Sequence, residues 1–141
     1  MLLYKINHFL YCFIHIPETN GLTIRDKIKK NNILMEEYLG IEGNYDYTYL
    51  PYRLRKQFIQ NDNVLYHTYV RNPFQRIISA FFNNHPSCTI KDLQWFVKNI
   101  LKNYNFENYN SNFIDYYPCC YFICENNKIP NNIIVEKIEE Q

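Results

Sequence analysis

Glycine is scarce, at three in 141 residues. The loop "PETNGLT", residues 17–23, does not supply the G-x-x-x-x-G-K-[ST] pattern, which speaks against a nucleotide kinase of that type. Each glycine is expected to have a backbone role. Neither sign of charge is in excess: Lys+Arg 15 stands against Asp+Glu 14, a net +1. No basic stripe appears, so no nucleic-acid partner is expected, while a local basic site stays possible. Long apolar runs are missing too. The opening "MLLYKINHFLYCFIHI" is broken by Lys5, Asn7 and His8. It falls short of the about 20 residues a membrane span needs and shows no small-residue cleavage site. No membrane span is expected, and the sequence alone reads as cytoplasmic. Cysteine forms no framework: Cys12, Cys88, Cys119, Cys120 and Cys124 are odd in number and include an adjacent pair. That favours free thiols in a reducing compartment. Cys120 and Cys124 have no matching Cys or His pair, so no metal site is expected.

What is present is a chain able to fold. It is 47% hydrophobic and 18% aromatic, with Tyr at 14 leading the aromatics. Its length suits one domain, residues 1–141, with a real core. Asparagine recurs in "NNHPS", "KNYNFENYNSNF" and "ENNKIPNN", which reads as base-composition bias rather than chemistry.

Patterning gives a strand over 9–16, preceded by an edge segment, then a helix over 23–39 ending near Gly40. A turn-rich connection leads to a short helix within 51–60. Residues 63–70, "NVLYHTYV", are β-branched and aromatic and read as a second strand. Pro73 breaks the chain and opens a helix over 74–82. A further amphipathic helix spans 89–101, with Ile90, Leu93 and Ile100 on one face. "CCYFI" is a strand candidate, and residues 133–135 read as a last strand turning into a helix that runs to Gln141. Strands separated by helices predict a parallel sheet with crossover helices.

Two loops then stand out. The first, after the strand "CFIHI", runs through Pro17 into a helix, an order that often holds an anion on first-turn N–H groups. The second, "YVRNPFQRIISAFF", puts Arg71 at a strand end and Ser79 on the helix behind Pro73. In an open parallel sheet ligands bind beyond the carboxyl ends of the strands, so both loops are expected to face one crevice. An arginine fork with a serine hydroxyl suits a phosphate. Arg76 reads as a structural ion-pair former on its helix. His85 in "NNHPS" is loosely placed near the crevice, His67 reads as a packed strand residue, and His15 sits next to the first loop.

These two stretches together resemble the sulfotransferase family, in particular its Golgi carbohydrate branch acting on heparan sulfate and chondroitin. That branch shows F-I-H-I-P-K-T-G-G-T-S and later V-R-N-P-x-x-R-x-x-S-A-Y. Phe13, Ile14, His15, Ile16, Pro17, Thr19 and Gly21 match the first motif. Val70, Arg71, Asn72, Pro73, Arg76, Ser79 and Ala80 match the second. A weaker echo is "FIDYYPCCYFI", where Asp115 stands at a family His and Cys119 at a Gln; Glu136 falls at a family Glu. The resemblance implies a three-layer, P-loop-like α/β sandwich around a short parallel sheet. Its co-substrate would be 3′-phosphoadenosine 5′-phosphosulfate, with no metal, and its acceptor a glycan hydroxyl. Pro17, Thr19, Asn20, Gly21, Leu22 and Thr23 would wrap the 5′-phosphosulfate, and Arg71 and Ser79 would hold the 3′-phosphate. A sulfotransferase also needs a base for the acceptor hydroxyl's proton, for which His85 would be the candidate, and the family keeps His15 as a strand-end residue. The family location would be the Golgi. The family's C-terminal part is expected to be missing from this chain.

Two positions depart from the motif. Asn20 replaces a glycine, and Glu18 occupies the lysine position at the catalytic centre. A lysine there would steady the oxygen leaving with the nucleotide, and such charge stabilisation is often the largest catalytic contribution. A carboxylate has the wrong sign. Three readings follow: an active transferase in which Arg25, Lys27 or another base folds over, a site serving a different acceptor chemistry, or a relative that binds nucleotide or glycan without turnover.

Overall fold

The computed structural model describes residues 1–37, 41–42, 45–107 and 109–138. The chain begins with a hairpin. Strand β1 (Leu2–Ile6) pairs antiparallel with β2 (Phe9–Ile14) across a two-residue turn. Asn7 sits there in the left-handed region, at φ 54°, a conformation asparagine tolerates better than most residues. Helix α1 (Gly21–Asn31) follows, then β3 (Ile33–Glu37), the short pair β4 (Ile41–Glu42) and β5 (Tyr45–Asp46), and helix α2 (Tyr52–Phe58). Strand β6 (Val64–Val70) leads to α3 (Pro73–Asn84) and α4 (Ile90–Asn99). Two 3-10 turns, Leu101–Asn103 and Ser111–Tyr116, precede α5 (Cys119–Ile123) and β7 (Ile133–Lys137).

The main sheet has five strands in the order β3-β1-β2-β6-β7. Only β2, β6 and β7 run parallel as neighbours, while β1 is antiparallel to both β2 and β3. The sheet is therefore mixed, which corrects the all-parallel expectation. The segment before residue 9 is a full interior strand and not an edge. Its residues alternate cleanly: Leu3 goes to one core with Cys12 and Ile14, and Leu2 and Tyr4 to another with Phe13 and Ile28. A strand buried on both faces needs no polar side, and β2 accordingly ends in the run Cys12, Phe13, Ile14, all at or below 1% exposure. Helix α1 covers the second core through Ile28 and Ile24. The first core lies beneath Tyr52 of α2 and Phe122 and Ile123 of α5.

Three further expectations change. The helix expected over 23–39 stops at Asn31, where the Asn32 side chain takes the Ile28 carbonyl at 3.0 Å. Residues 33–37 then add to the open edge of β1, because unpaired strand N–H and C=O groups recruit a partner. "CCYFI" is helix α5 and not a strand: a five-residue apolar run fits either period, and Pro118 at the N-cap starts the helix. The last strand extends to Lys137. The expected ends at Leu39–Gly40 and the final helix to Gln141 lie outside the described residues.

Local chemistry fixes the remaining helices. In α3, Pro73 stands in the first turn and the Asn72 side chain accepts from Phe74 N at 2.9 Å. In α4, Thr89 and Asp92 form a reciprocal capping box. The aromatic faces of α3 and α4 meet through Phe81 and Phe96, with ring centroids 5.3 Å apart. Beneath α2, Arg55 is fully buried and donates to the carbonyls of Leu50 and Phe13. Among the described residues no helix is long and apolar enough to cross a membrane.

Candidate active site

Strand β2 delivers His15 and Ile16, both buried, into the turn 17–20. Glu18 and Asn20 take left-handed φ values of 61° and 56°. Such a conformation is uncommon outside glycine and persists where the surroundings hold it. Here they do. The Thr19 hydroxyl donates back to the Ile16 carbonyl at 2.7 Å. Arg76, from α3, donates through Nε to the Pro17 carbonyl at 3.0 Å and through Nη1 to the Tyr117 carbonyl at 3.1 Å. It also reaches the Cys119 thiol at 3.3 Å. Arg76 is thus structural as expected, but its partners among the described residues are carbonyls and a thiol and not a carboxylate. It is 3% exposed and ties the turn to the segment before α5.

The turn opens α1 without a side-chain cap on its first N–H groups and with no acid in its first turn. Those N–H groups lack intrahelical partners by construction. Arg71 follows the carboxyl end of β6, and its Nη1 lies 3.5 Å from the Glu18 carbonyl oxygen. Glu18, Thr19, Asn20, Arg71, Ser79 and Ile138 enclose a cavity of about 350 Å³. Because Ile138 follows β7, the cavity sits beyond the carboxyl ends of the three parallel strands, where open α/β sheets place ligands. The two loops singled out in the sequence therefore meet.

Not every expected residue faces that space. Leu22 is 71% exposed and points to solvent, as does Thr23. Pro17 is buried in the clasp of Arg76, and Gly21 packs against His15. The Thr19 hydroxyl is committed to Ile16. His85 caps the far end of α3, with its ring against Phe81 and Phe96 at 5.0 and 6.3 Å. It is not among the residues lining the cavity. His67 pairs with Glu136 at 3.4 Å and faces Tyr4 at 3.3 Å, on the sheet.

Glu18 points into the site toward α3. Its carboxylate accepts a hydrogen bond from Ser79 Oγ and is 3.1 Å from Asn83 Nδ2 at both oxygens. Neither suggested rescuer reaches it: Arg25 is buried against Glu37, and Lys27 lines a neighbouring cavity. A second acid lies close by, Asp115, which accepts from Asn84 at 3.1 Å. Burial first, then the carboxylates of Asp115, Asp46 and Glu18, push the Tyr49 phenol up. Glu18 is the acid among the residues lining the cavity, beside Arg71. Asn83 was not picked out from the sequence, although its i, i+4 spacing from Ser79 puts it on the same helix face. Among the described residues, no group of three or more His, Cys, Asp or Glu is arranged to hold a metal.

The chain is a mixed α/β sheet with a strand–turn–helix, and an arginine and a serine line a cavity at the carboxyl edge of its parallel strands. A model described as the sulfotransferase family matches residues 1–132, nearly the whole chain, and the protein belongs to that family. Comparison with curated proteins and with solved structures gives no match.

Proposed function

We propose that this domain binds 3′-phosphoadenosine 5′-phosphosulfate and directs its sulfuryl group to a hydroxyl of a carbohydrate. The observation that carries the donor reading is the cavity shared by Arg71, Ser79 and the uncapped start of α1. When bound, the nucleotide supplies an activated sulfuryl group. Arg71 offers a guanidinium fork for a phosphate, and the N–H groups of residues 20–23 offer the positive end of a helix. The glycan acceptor rests on the likeness of "FIHIPETNG" and "VRNPFQRIISA" to the carbohydrate branch.

A second reading is a relative that binds nucleotide or glycan without turnover. One observation favours it. Ser79, expected to donate to phosphate, donates to Glu18 instead. A carboxylate beside the departing oxygen opposes the developing negative charge. Arg71 and the N–H groups that open α1 fit a bound phosphate group; the Glu18–Ser79 pair as it stands does not.

Calorimetric titration with 3′-phosphoadenosine 5′-phosphate and with adenosine monophosphate, using wild type and Arg71→Ala, tests the donor reading. The bisphosphate is expected to bind about tenfold or more tightly than the monophosphate, from charge-assisted bonds of about 1.5–3 kcal/mol. Arg71→Ala is expected to remove that preference. Equal affinities, or an unaffected Arg71→Ala, would overturn it.

A further inference from the structure

We propose that Glu18 is a built-in substitute for the ligand's anion, latched on the Ser79 hydroxyl by Asn83, so that a phosphate must displace this carboxylate to bind. The inference rests on the reading of the Arg71–Ser79 cavity as a phosphate site and adds its regulation.

The geometry is that of a filled anion subsite. Ser79 Oγ donates to Glu18 Oε2, and Asn83 Nδ2 stands 3.1 Å from both carboxylate oxygens. Ser79 and Asn83 are one turn apart on α3, so they present two donors side by side. The backbone of Glu18 is held for the purpose. Its φ is 61°, Arg71 lies on its carbonyl at 3.5 Å, and Arg76 fixes the preceding carbonyl at 3.0 Å. The side chain therefore leaves a pinned turn and crosses to α3.

A serine hydroxyl has one proton to donate. While Glu18 holds it, an incoming phosphate oxygen meets a lone-pair-bearing Oγ and a carboxylate of its own sign. Binding then requires the carboxylate to swing away and Ser79 to turn. The observed affinity is the intrinsic affinity reduced to the fraction of molecules that are unlatched. Asn83 acts through Glu18 alone: it is a positioning residue, and it is not among the residues that line the cavity.

The test is titration of 3′-phosphoadenosine 5′-phosphate into wild type, Glu18→Gln, Glu18→Asn, Asn83→Ala, Glu18→Asn/Asn83→Ala and Arg71→Ala, with circular dichroism to confirm folding. Gln removes the charge but keeps the reach. Asn shortens the side chain and tolerates the left-handed backbone. Both Glu18 variants are expected to tighten binding about tenfold, and Asn83→Ala about threefold. The double variant should bind no tighter than Glu18→Asn, because Asn83 would have nothing left to latch. If both Glu18 variants bind like wild type or more weakly while Arg71→Ala still loses affinity, the latch is overturned and the phosphate site stands. The latch is also overturned if Asn83→Ala tightens binding equally in the Glu18→Asn background. If none of the folded proteins binds the nucleotide, the phosphate site itself is overturned, and the latch with it.

Discussion

The imidazole of His15 fills the space that a Cβ on Gly21 would need: that position lies 2.0 Å from both Cδ2 and Nε2. His15 cannot step aside. It is 4% exposed and wedged between the rings of Phe13 and Tyr49, at 6.1 and 5.0 Å. The glycine is therefore required for close approach between the strand end and the first turn of α1. The spacing between β2 and α1 at the candidate site depends on it.

Gly21→Ala should destabilise the protein by about 1–3 kcal/mol, the usual cost of overpacking. Helix propensity alone favours Ala over Gly by up to about 1 kcal/mol, so the sign separates the two effects. Urea unfolding of Gly21→Ala, His15→Ala and the double variant gives the coupling. The double variant should recover most of the loss; full additivity would show that the two residues do not meet.

His15 also makes a pH prediction. Burial first, then Arg25, Arg55 and the chain's amino terminus, lower its pKa from about 6.5 to about 3. Below about 6.5 the unfolded chain takes up a proton that the folded imidazole refuses. Stability therefore falls as pH drops from about 6.5 toward about 3, by at most about 1.4 kcal/mol per pH unit, and this contribution is flat above 6.5. His67 is lowered by burial, partly opposed by Glu136, and acts in the same direction. Urea midpoints measured from roughly pH 4 to 7 should fall less steeply for His15→Gln than for wild type. Identical slopes would refute the assignment.

Arg76 spans from Pro17 to Tyr117 through two different nitrogens of its guanidinium. Arg76→Ala should cost about 2–4 kcal/mol, since each buried carbonyl left without a donor costs about 1–3. Arg76→Lys should recover less than half of that, because one ammonium replaces a planar fork. Denaturant midpoints decide it, and a Lys variant as stable as wild type would rule out the clasp.

Glu18→Lys should tighten binding of the nucleotide bisphosphate and raise any sulfuryl transfer to a glycan panel. Two unit charges about 4 Å apart interact by roughly 4 kcal/mol at an effective dielectric of 20, so a gain of at least about tenfold is expected even after relaxation. The gain should shrink as salt rises, given that Glu18 is only partly buried. No gain in binding or transfer would remove the phosphosulfate assignment of this turn.

Local signals carried much of the fold. Asn7, the Asn72–Pro73 pair and the Thr89–Asp92 box act within a few residues of where they stand, so the turn and helix starts at those positions belong to the sequence. The order of "FIHIPETNGLT" and "YVRNPFQRIISAF" already pointed to one crevice, because parallel strands bring their carboxyl ends together. What the sequence could not decide were the long-range choices. Residues 33–37 could continue a helix in isolation, and they become a strand because β1 offers an unpaired edge. The apolar "CCYFI" carries no distinguishing period over five residues, and packing of Phe122 and Ile123 beneath the sheet settles it. Arg55 gave no local sign of burial. The decisive contact at the candidate site is of this kind. Glu18 and Ser79 are 61 residues apart, and residue type alone said only that Glu18 had the wrong sign. Where that charge goes is decided by the left-handed turn held between Arg71 and Arg76, which aims the carboxylate at two donors on α3.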